Sequence, residues 1–149
     1  MKGLLPDGYN LNKSVEAHDR GACTTVPPEW PSPIEHELAV AQYNLGVLYD
    51  NGQGVSQDFA EALDLYRRAA GHCLAVAQYN LGLMYAEGDG VPPDYVQAFM
   101  WFNLASLQGY EKANKNRDIA AEKMSSEQIA EAQRMAREWL EALPQKTSS

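Results

Sequence analysis

Hydrophobic residues recur along this chain at helical spacing, in segments separated by short turns rich in glycine or proline. Between about residues 33 and 51, Ala41, Leu45, Leu48 and Tyr49 follow the periodic spacing that gives a helix one buried face. The same kind of pattern predicts further helices at about 58–71, 74–87, 94–108, 110–122 and 126–142. The chain is therefore predicted to be all-α.

Residues that favour helix starts lie where this pattern requires them. Ser32 is a predicted N-cap ahead of Pro33, and Glu35 occupies the position that completes a capping box. Asp58 and Asp94 are predicted N-caps of two later helices. The sequence Ser-Ser-Glu-Gln at residues 125–128 predicts a second capping box, which begins the last helix.

A nine-residue sequence at residues 38–46 recurs unchanged at residues 74–82, which is 36 residues later. The same offset relates the glycine-rich turns and the helices that follow them. A repeat of this period is typical of a solenoid of stacked helix pairs. We therefore predict a solenoid over residues 32–143, built from about three helix-turn-helix units at about 33–72, 73–108 and 110–143. The third unit is degenerate, and its last helix is predicted to be a terminal cap.

The two ends of the chain differ from the repeats. Residues 1–31 contain Pro6, Pro27, Pro28 and Pro31, which interrupt any helical period, and this segment is predicted to be an irregular arm. Two alternatives are open for the arm: its apolar residues pack onto the first helix pair, or it is disordered. The apolar residues concerned are Leu4, Leu5, Tyr9 and Trp30. The tail at residues 144–149 is predicted to be disordered.

The repeated residues resemble the Sel-1-like repeat family, a relative of the tetratricopeptide repeats. The first copy of the motif consists of Ala39, Ala41, Leu45, Gly46, Tyr49, Gly52, Gly54, Val55, Asp58, Ala62, Tyr66, Ala69 and Ala70. The second copy follows at the 36-residue offset, with Ser106 in place of its final alanine. The resemblance implies a right-handed α-solenoid with a tetratricopeptide-like superhelix and an adaptor or scaffold role, and the C-terminal part resembles many bacterial members.

One position departs from the family pattern. Cys73 in the first unit corresponds to Gly109 in the second, where the family usually has glycine. Some members carry cysteine pairs that bridge the two helices of a repeat, but Cys73 has no partner at that spacing. Such a bridge is therefore not expected here.

Composition narrows the partners and the location. The net charge of −8 argues against a nucleic-acid backbone or an anionic membrane as the main partner. No apolar stretch is long enough for a signal peptide or a membrane span. The two cysteines do not form a disulfide framework. A cytoplasmic location is the expectation, which a missing upstream leader would overturn.

Candidate chemistry is sparse. The three histidines, His18, His36 and His72, lack the spacing of a metal site, so no metal and no cofactor are predicted. The acidic residues of the glycine turns lack the alternating ligands of a calcium loop. Cys73 and His72 are neighbours in sequence only, which does not identify a nucleophile and its base. The chain is predicted to be non-enzymatic, with no catalytic residues.

A row of residues on the first helix of each unit is the candidate binding site. Positions spaced as one helical face place an asparagine beside apolar residues on the predicted concave side. The predicted contacts are Asn44, Val47, Asn51, Asn80, Leu83, Glu87, Asn116 and Ile119. Amide side chains both donate and accept hydrogen bonds, so such a row suits an extended peptide backbone. The alternative is that the asparagines satisfy polar groups between adjacent repeats.

Three hypotheses for function follow. The first is a non-catalytic scaffold or adaptor that binds a protein or peptide on its concave helix face. The second is a self-associating structural module, which forms a homodimer through the first helix pair. The third and weakest is a hydrolase that acts in cell-envelope processes.

Overall fold

The computed structural model describes residues 31–144, and these residues contain six helices and no strand. The helices are α1 Pro33–Asn51, α2 Phe59–Gly71, α3 Ala75–Glu87, α4 Tyr95–Leu107, α5 Glu111–Glu122 and α6 Ser126–Ala142. The arm predicted for residues 1–31 and the tail predicted for 144–149 lie outside the described residues, apart from Pro31 and Pro144. The all-α solenoid is confirmed.

Local hydrogen bonds explain where the helices begin. The Ser32 hydroxyl accepts a bond from the Glu35 amide at 3.2 Å, and the Glu35 carboxylate accepts one from the Ser32 amide at 2.8 Å. The same reciprocal pair forms between Ser125 and Gln128 at the start of α6. Both capping boxes predicted from the sequence are present.

Glycines in the left-handed conformation end the first helix of each repeated unit. Gly52 after α1 has φ 66° and Gly88 after α3 has φ 76°. The amide of each donates back to the preceding turn, to the carbonyls of Leu48 and Met84 respectively. Glycine adopts this backbone conformation without the steric cost that other residues have.

Each repeated unit is closed by an aromatic ring that lies against a glycine. The ring of Tyr66 on α2 packs on Gly46 of α1, and the ring of Phe102 on α4 packs on Gly82 of α3. Helices α1 and α2 form one pair and α3 and α4 form the next, with α2 against α3 and α4 against α5. The close approach of ring and backbone requires the missing side chain of glycine.

Helix α4 lies at the centre of the packing. It contacts α3, α5 and α6, and it contributes a run of buried residues to the core. These are Ala98, Phe99, Met100, Trp101, Phe102, Leu104 and Ala105. Helix α6 packs on α4 rather than pairing closely with α5, with Trp101 and Trp139 edge-to-face at 5.6 Å between ring centroids.

The buried face of α1 differs from the prediction. Ala41, Leu45 and Leu48 were expected to face inward, but all three are exposed, Leu45 by 40% and Leu48 by 38%. The side of α1 that packs into the core instead carries Ala39, Tyr43, Gly46, Val47 and Asp50. The physical reason is that residues such as Leu81 on α3 pack against a preceding helix, and no described helix precedes α1.

Candidate functional site

The predicted binding row runs across α1, α3 and α5, and its members differ in accessibility. Glu87 and Ile119 are exposed, and the half-buried members are Asn44, Asn51, Leu83 and Asn116. Val47 is only 1% exposed and Asn80 only 5%. These two side chains were predicted as partner contacts, but both are enclosed by the helices of the solenoid and are not available to a partner.

Equivalent positions of the row change steadily along the solenoid. Val47, Leu83 and Ile119 share one repeat position, and the first is buried, the second half-buried and the third 42% exposed. The accessible apolar part of the row therefore lies on α3 and α5. A site built there is apolar at its centre, with polar groups on either side.

Two asparagines of the row bond to tyrosines of the preceding unit. Asn80 Nδ2 donates to the Tyr43 hydroxyl at 3.5 Å, and Asn116 Nδ2 donates to the Tyr79 hydroxyl at 2.8 Å. These bonds join α1 to α3 and α3 to α5. They correspond to the alternative in which the asparagines satisfy polar groups between adjacent repeats.

Tyr79 is a residue of this face that the sequence analysis missed. Its ring lies 5.8 Å from that of Phe102 and 5.1 Å from that of Tyr110, between centroids. Burial raises the pKa of Tyr79, and the Asn116 bond opposes that shift, so the hydroxyl stays protonated at neutral pH. The signal was present, since Tyr43 and Tyr79 are equivalent positions of the repeated nine residues.

Charged residues of both signs flank the apolar part of the row. Glu87 is exposed at the end of α3, and Lys123 is exposed just after α5. The Lys123 ammonium lies 5.9 Å from the centroid of the Tyr95 ring, within range of a weak cation–π contact. These two residues occupy equivalent repeat positions, so the surface presents an acidic and a basic group side by side along the solenoid.

Cys73 carries a bond that the sequence did not predict. It is disulfide-bonded, it is fully buried, and it lies in the turn between α2 and α3. Its backbone is left-handed, with φ 64°, as is that of its equivalent Gly109 at 85°. The other cysteine of the sequence, Cys23, lies outside the described residues. The disulfide differs from what a reducing cytoplasm would leave at Cys73.

Two other kinds of site are absent from the described part of the chain. Residues 31–144 hold no group of three or more histidine, cysteine, aspartate or glutamate side chains arranged to bind a metal ion. None of the helices in that range is both long enough and apolar enough to cross a lipid bilayer.

Comparisons with known proteins agree with the repeat. The model of the family described as Sel1 repeat matches residues 39–71 and again residues 75–110. A comparison with curated proteins finds no match. The structure is similar to that of a protective antigen of uropathogenic Escherichia coli strains that displays an SLR fold, with 36% sequence identity and a TM-score of 0.67. That similarity covers 69% of this chain and 22% of the antigen.

A second solved structure, a Sel1 repeat protein from Oxalobacter formigenes, is 30% identical with a TM-score of 0.56. The similarity covers 73% of this chain and 45% of that one. The chain therefore spans less than half the length of either structure.

Proposed function

We propose that this chain is a non-catalytic scaffold, because it carries two Sel1 repeats and repeats of that family are generally protein–protein interaction modules. It binds a protein or peptide on the face formed by α1, α3 and α5. The fold is typical of interaction scaffolds rather than enzymes.

The observation that carries this proposal is the accessible apolar pair on α3 and α5. Leu83 and Ile119 lie at equivalent positions of successive units, with Asn116 one helical turn before Ile119. A partner can bury the apolar side chains of Leu83 and Ile119. The Asn116 amide and the charges of Glu87 and Lys123 can then fix the orientation of that partner. Within the predicted row, the binding surface is thus Leu83, Glu87, Asn116 and Ile119, with Asn44 and Asn51 at its α1 edge.

A matched pair of variants tests this surface. Peptides are first selected from a displayed library by the intact chain, and their dissociation constants are then measured by fluorescence anisotropy. Ile119→Glu places a charge in the proposed contact, and Leu107→Glu makes the same change at a 50% exposed leucine of α4, outside the row. We expect binding to weaken by about tenfold or more with Ile119→Glu, a loss of roughly 1.4 kcal/mol, and to change little with Leu107→Glu.

Circular dichroism establishes that both variants fold. Equal affinity of the intact chain and the folded Ile119→Glu variant would place the partner on another surface and refute the assignment of the row. Similar losses from both variants would also refute it, because the effect would not depend on the face.

Self-association through the first helix pair is a second candidate function. The observation that favours it is the apolar side of α1, where Ile34 is 79% and Leu38 51% exposed. A homodimer formed there shows a mass that doubles with concentration in light scattering. A constant monomer mass across the accessible concentration range would exclude it.

The disulfide of Cys73 also bears on the cellular compartment of the protein. Disulfides are rare in the reducing cytoplasm and persist in oxidising compartments. The disulfide of Cys73 thus favours an oxidising compartment over the cytoplasmic location that the sequence led us to expect.

A further inference from the structure

The outer face of α1 has the composition of a surface that is covered. Five of its residues are exposed or half-buried, whereas their equivalents 36 residues later on α3 are all 0% exposed. The α1 residues are Leu38, Ala41, Gln42, Leu45 and Leu48. Their α3 equivalents are Leu74, Ala77, Gln78, Leu81 and Met84.

The covering element of α3 explains the difference. Helix α2 packs against α3, and Gln78 Nε2 lies 3.4 Å from the Ala70 carbonyl of α2, to which it donates. On α1, Gln42 has the same position. Its Oε1 is buried without a hydrogen-bond partner among the described residues, whereas the Oε1 of Gln78 accepts a bond from Gln108, whose equivalent in the first unit is His72. Apolar and amide groups that α3 buries against α2 are thus repeated on α1, where the described residues supply no equivalent of α2.

The disulfide indicates which segment supplies the cover. Cys73 is disulfide-bonded in the turn that follows α2, and Cys23 is the one other cysteine of the sequence. Residues 24–30 are then the whole connection between the disulfide and Pro31, two residues before α1 begins. A connection of that length reaches at most about 25 Å, which keeps Cys23 close to the start of α1.

Residues 1–22, which precede Cys23, are long enough to cross the outer face of α1. Residues 1–22 extend to about 70 Å, whereas a helix of the length of α1 measures about 28 Å. We propose that residues 1–30 fold across the outer face of α1, covering Ile34, Leu38, Leu45 and Leu48, and that a Cys23–Cys73 disulfide holds them there.

Composition favours this segment over a second copy of the chain. Helix α1 carries Glu35 and Glu37 outside the core and no lysine or arginine, so two α1 helices in contact would bring acidic groups together. The N-terminal segment carries three basic residues, Lys2, Lys13 and Arg20, and four acidic ones, so unlike a second α1 it offers charges of both signs.

The segment also supplies suitable apolar groups. Trp30 lies 36 residues before Tyr66 and 72 before Phe102, so it occupies the aromatic position of the repeat. Pro27, Pro28 and Pro31 prevent a helix like α2 at this point, and the cover is therefore an extended strap rather than a further helix.

Side-chain footprinting of the full-length chain tests the strap. Hydroxyl radicals label exposed leucines, and mass spectrometry gives the labelling rate of each. Leu38 and Leu45, at 51% and 40% exposure in the described helices, are compared with Leu107, at 50%. The oxidised chain is compared with Cys23→Ser, and Thr24→Ser is the control that changes the neighbouring residue and keeps the disulfide.

We expect a tryptic fragment that contains linked Cys23 and Cys73. In the oxidised monomer, Leu38 and Leu45 should be labelled several-fold more slowly than Leu107. In Cys23→Ser their rates should rise to that of Leu107, while Thr24→Ser behaves as the parent chain. Circular dichroism confirms that the variants keep their helices.

Four outcomes overturn the proposal. The first is a cysteine linkage between two chains. The second is rapid labelling of Leu38 and Leu45 in the oxidised monomer. The third is protection that persists in Cys23→Ser at the mass of a dimer, which identifies a second copy as the cover. The fourth is protection that persists in a Cys23→Ser monomer, which shows that the disulfide does not hold the strap.

Discussion

The first two units of the solenoid share one plan and differ in one buried pair. In the first unit the Tyr66 hydroxyl donates to the Asp50 carboxylate at 3.3 Å, and Asp50 is 3% exposed. In the second unit the equivalent residues are Phe102 and Ala86, so the hydroxyl and the carboxylate are both absent. Burial and the neighbouring Asp50 raise the pKa of Tyr66, which keeps its hydroxyl a donor.

What the two units have in common is the ring against glycine. Tyr66 packs on Gly46 and Phe102 packs on Gly82, with the ring 5.7 Å from Tyr43 and 5.8 Å from Tyr79, respectively. The repeat therefore depends on the ring, whereas the hydroxyl and its acceptor form a pair that is present or absent together. A buried polar pair can be exchanged for an apolar pair as a unit, but not half at a time.

The largest expected effect comes from truncating equivalent leucines of the two units. Leu81→Ala removes a fully buried side chain between α2 and α3 and should lower the free energy of unfolding by about 2–5 kcal/mol. In the Cys23→Ser chain, where the proposed strap is released, Leu45→Ala should cost no more than about half of that, because 40% of Leu45 is exposed. Urea unfolding followed by circular dichroism measures both. Equal costs would show that Leu45 is as tightly enclosed as Leu81, which the described helices do not provide.

Adding a methyl group at the shared glycine should be nearly as disruptive. The Cβ of Gly82→Ala would lie 2.7 Å from the Phe102 ring, and that of Gly46→Ala 2.8 Å from the Tyr66 ring. Each substitution should destabilise the chain by about 1–3 kcal/mol, since the ring must move within a packed core. Gly71→Ala is the control, because no atom lies within 4 Å of its added Cβ. Thermal unfolding should show the control unchanged or slightly stabilised; a stabilised Gly82→Ala would contradict the close packing.

Changing either member of the polar pair of the first unit should lower the free energy of unfolding. Changing both should lower it by less than the two single changes added together. Tyr66→Phe removes the donor to a buried carboxylate, at a cost of about 1–3 kcal/mol. The double variant Tyr66→Phe with Asp50→Ala reproduces the pair of the second unit and should cost less than the sum of the two single changes. A double-mutant cycle measured in urea gives the coupling. Strictly additive costs would show that the two residues do not act as a pair.

The smallest effect is expected for the bond that joins α3 to α5. Asn116→Ala removes the 2.8 Å bond to the Tyr79 hydroxyl at a half-buried site and should cost about 0.5–1.5 kcal/mol. Tyr79→Phe removes the other partner of the same bond and should cost a similar amount. Denaturant midpoints of the two single variants and the double variant test this. A double variant that loses the full sum would show that the bond contributes nothing.

The helices could be predicted from the sequence because their signals are local. Ser32 with Glu35 and Ser125 with Gln128 mark helix starts, and the glycines after α1 and α3 mark helix ends, without reference to the rest of the fold. The 36-residue repeat then identified the helix pairs.

The accessible faces could not be predicted to the same depth, because burial depends on neighbouring helices. Leu45 and Leu81 are the same residue in the same nine-residue sequence, yet one is 40% exposed and the other is buried. Val47 and Asn80 were misjudged for the same reason, since helical spacing alone does not show which side of α1 or α3 faces the core. The disulfide of Cys73 has no local signal at all.

The central position of α4 predicts the order in which the helices unfold. Helix α4 is held by three neighbours, whereas α1 packs extensively on α2 alone among the described helices. In a linear array each unit is stabilised chiefly by the units beside it, so partial opening begins where neighbours are fewest. Amide hydrogens of α1 should therefore exchange when the first helix pair frays, whereas those of α4 should exchange only when the whole array unfolds. Unfolding is therefore expected to begin at α1 and to reach α4, in the second unit, last.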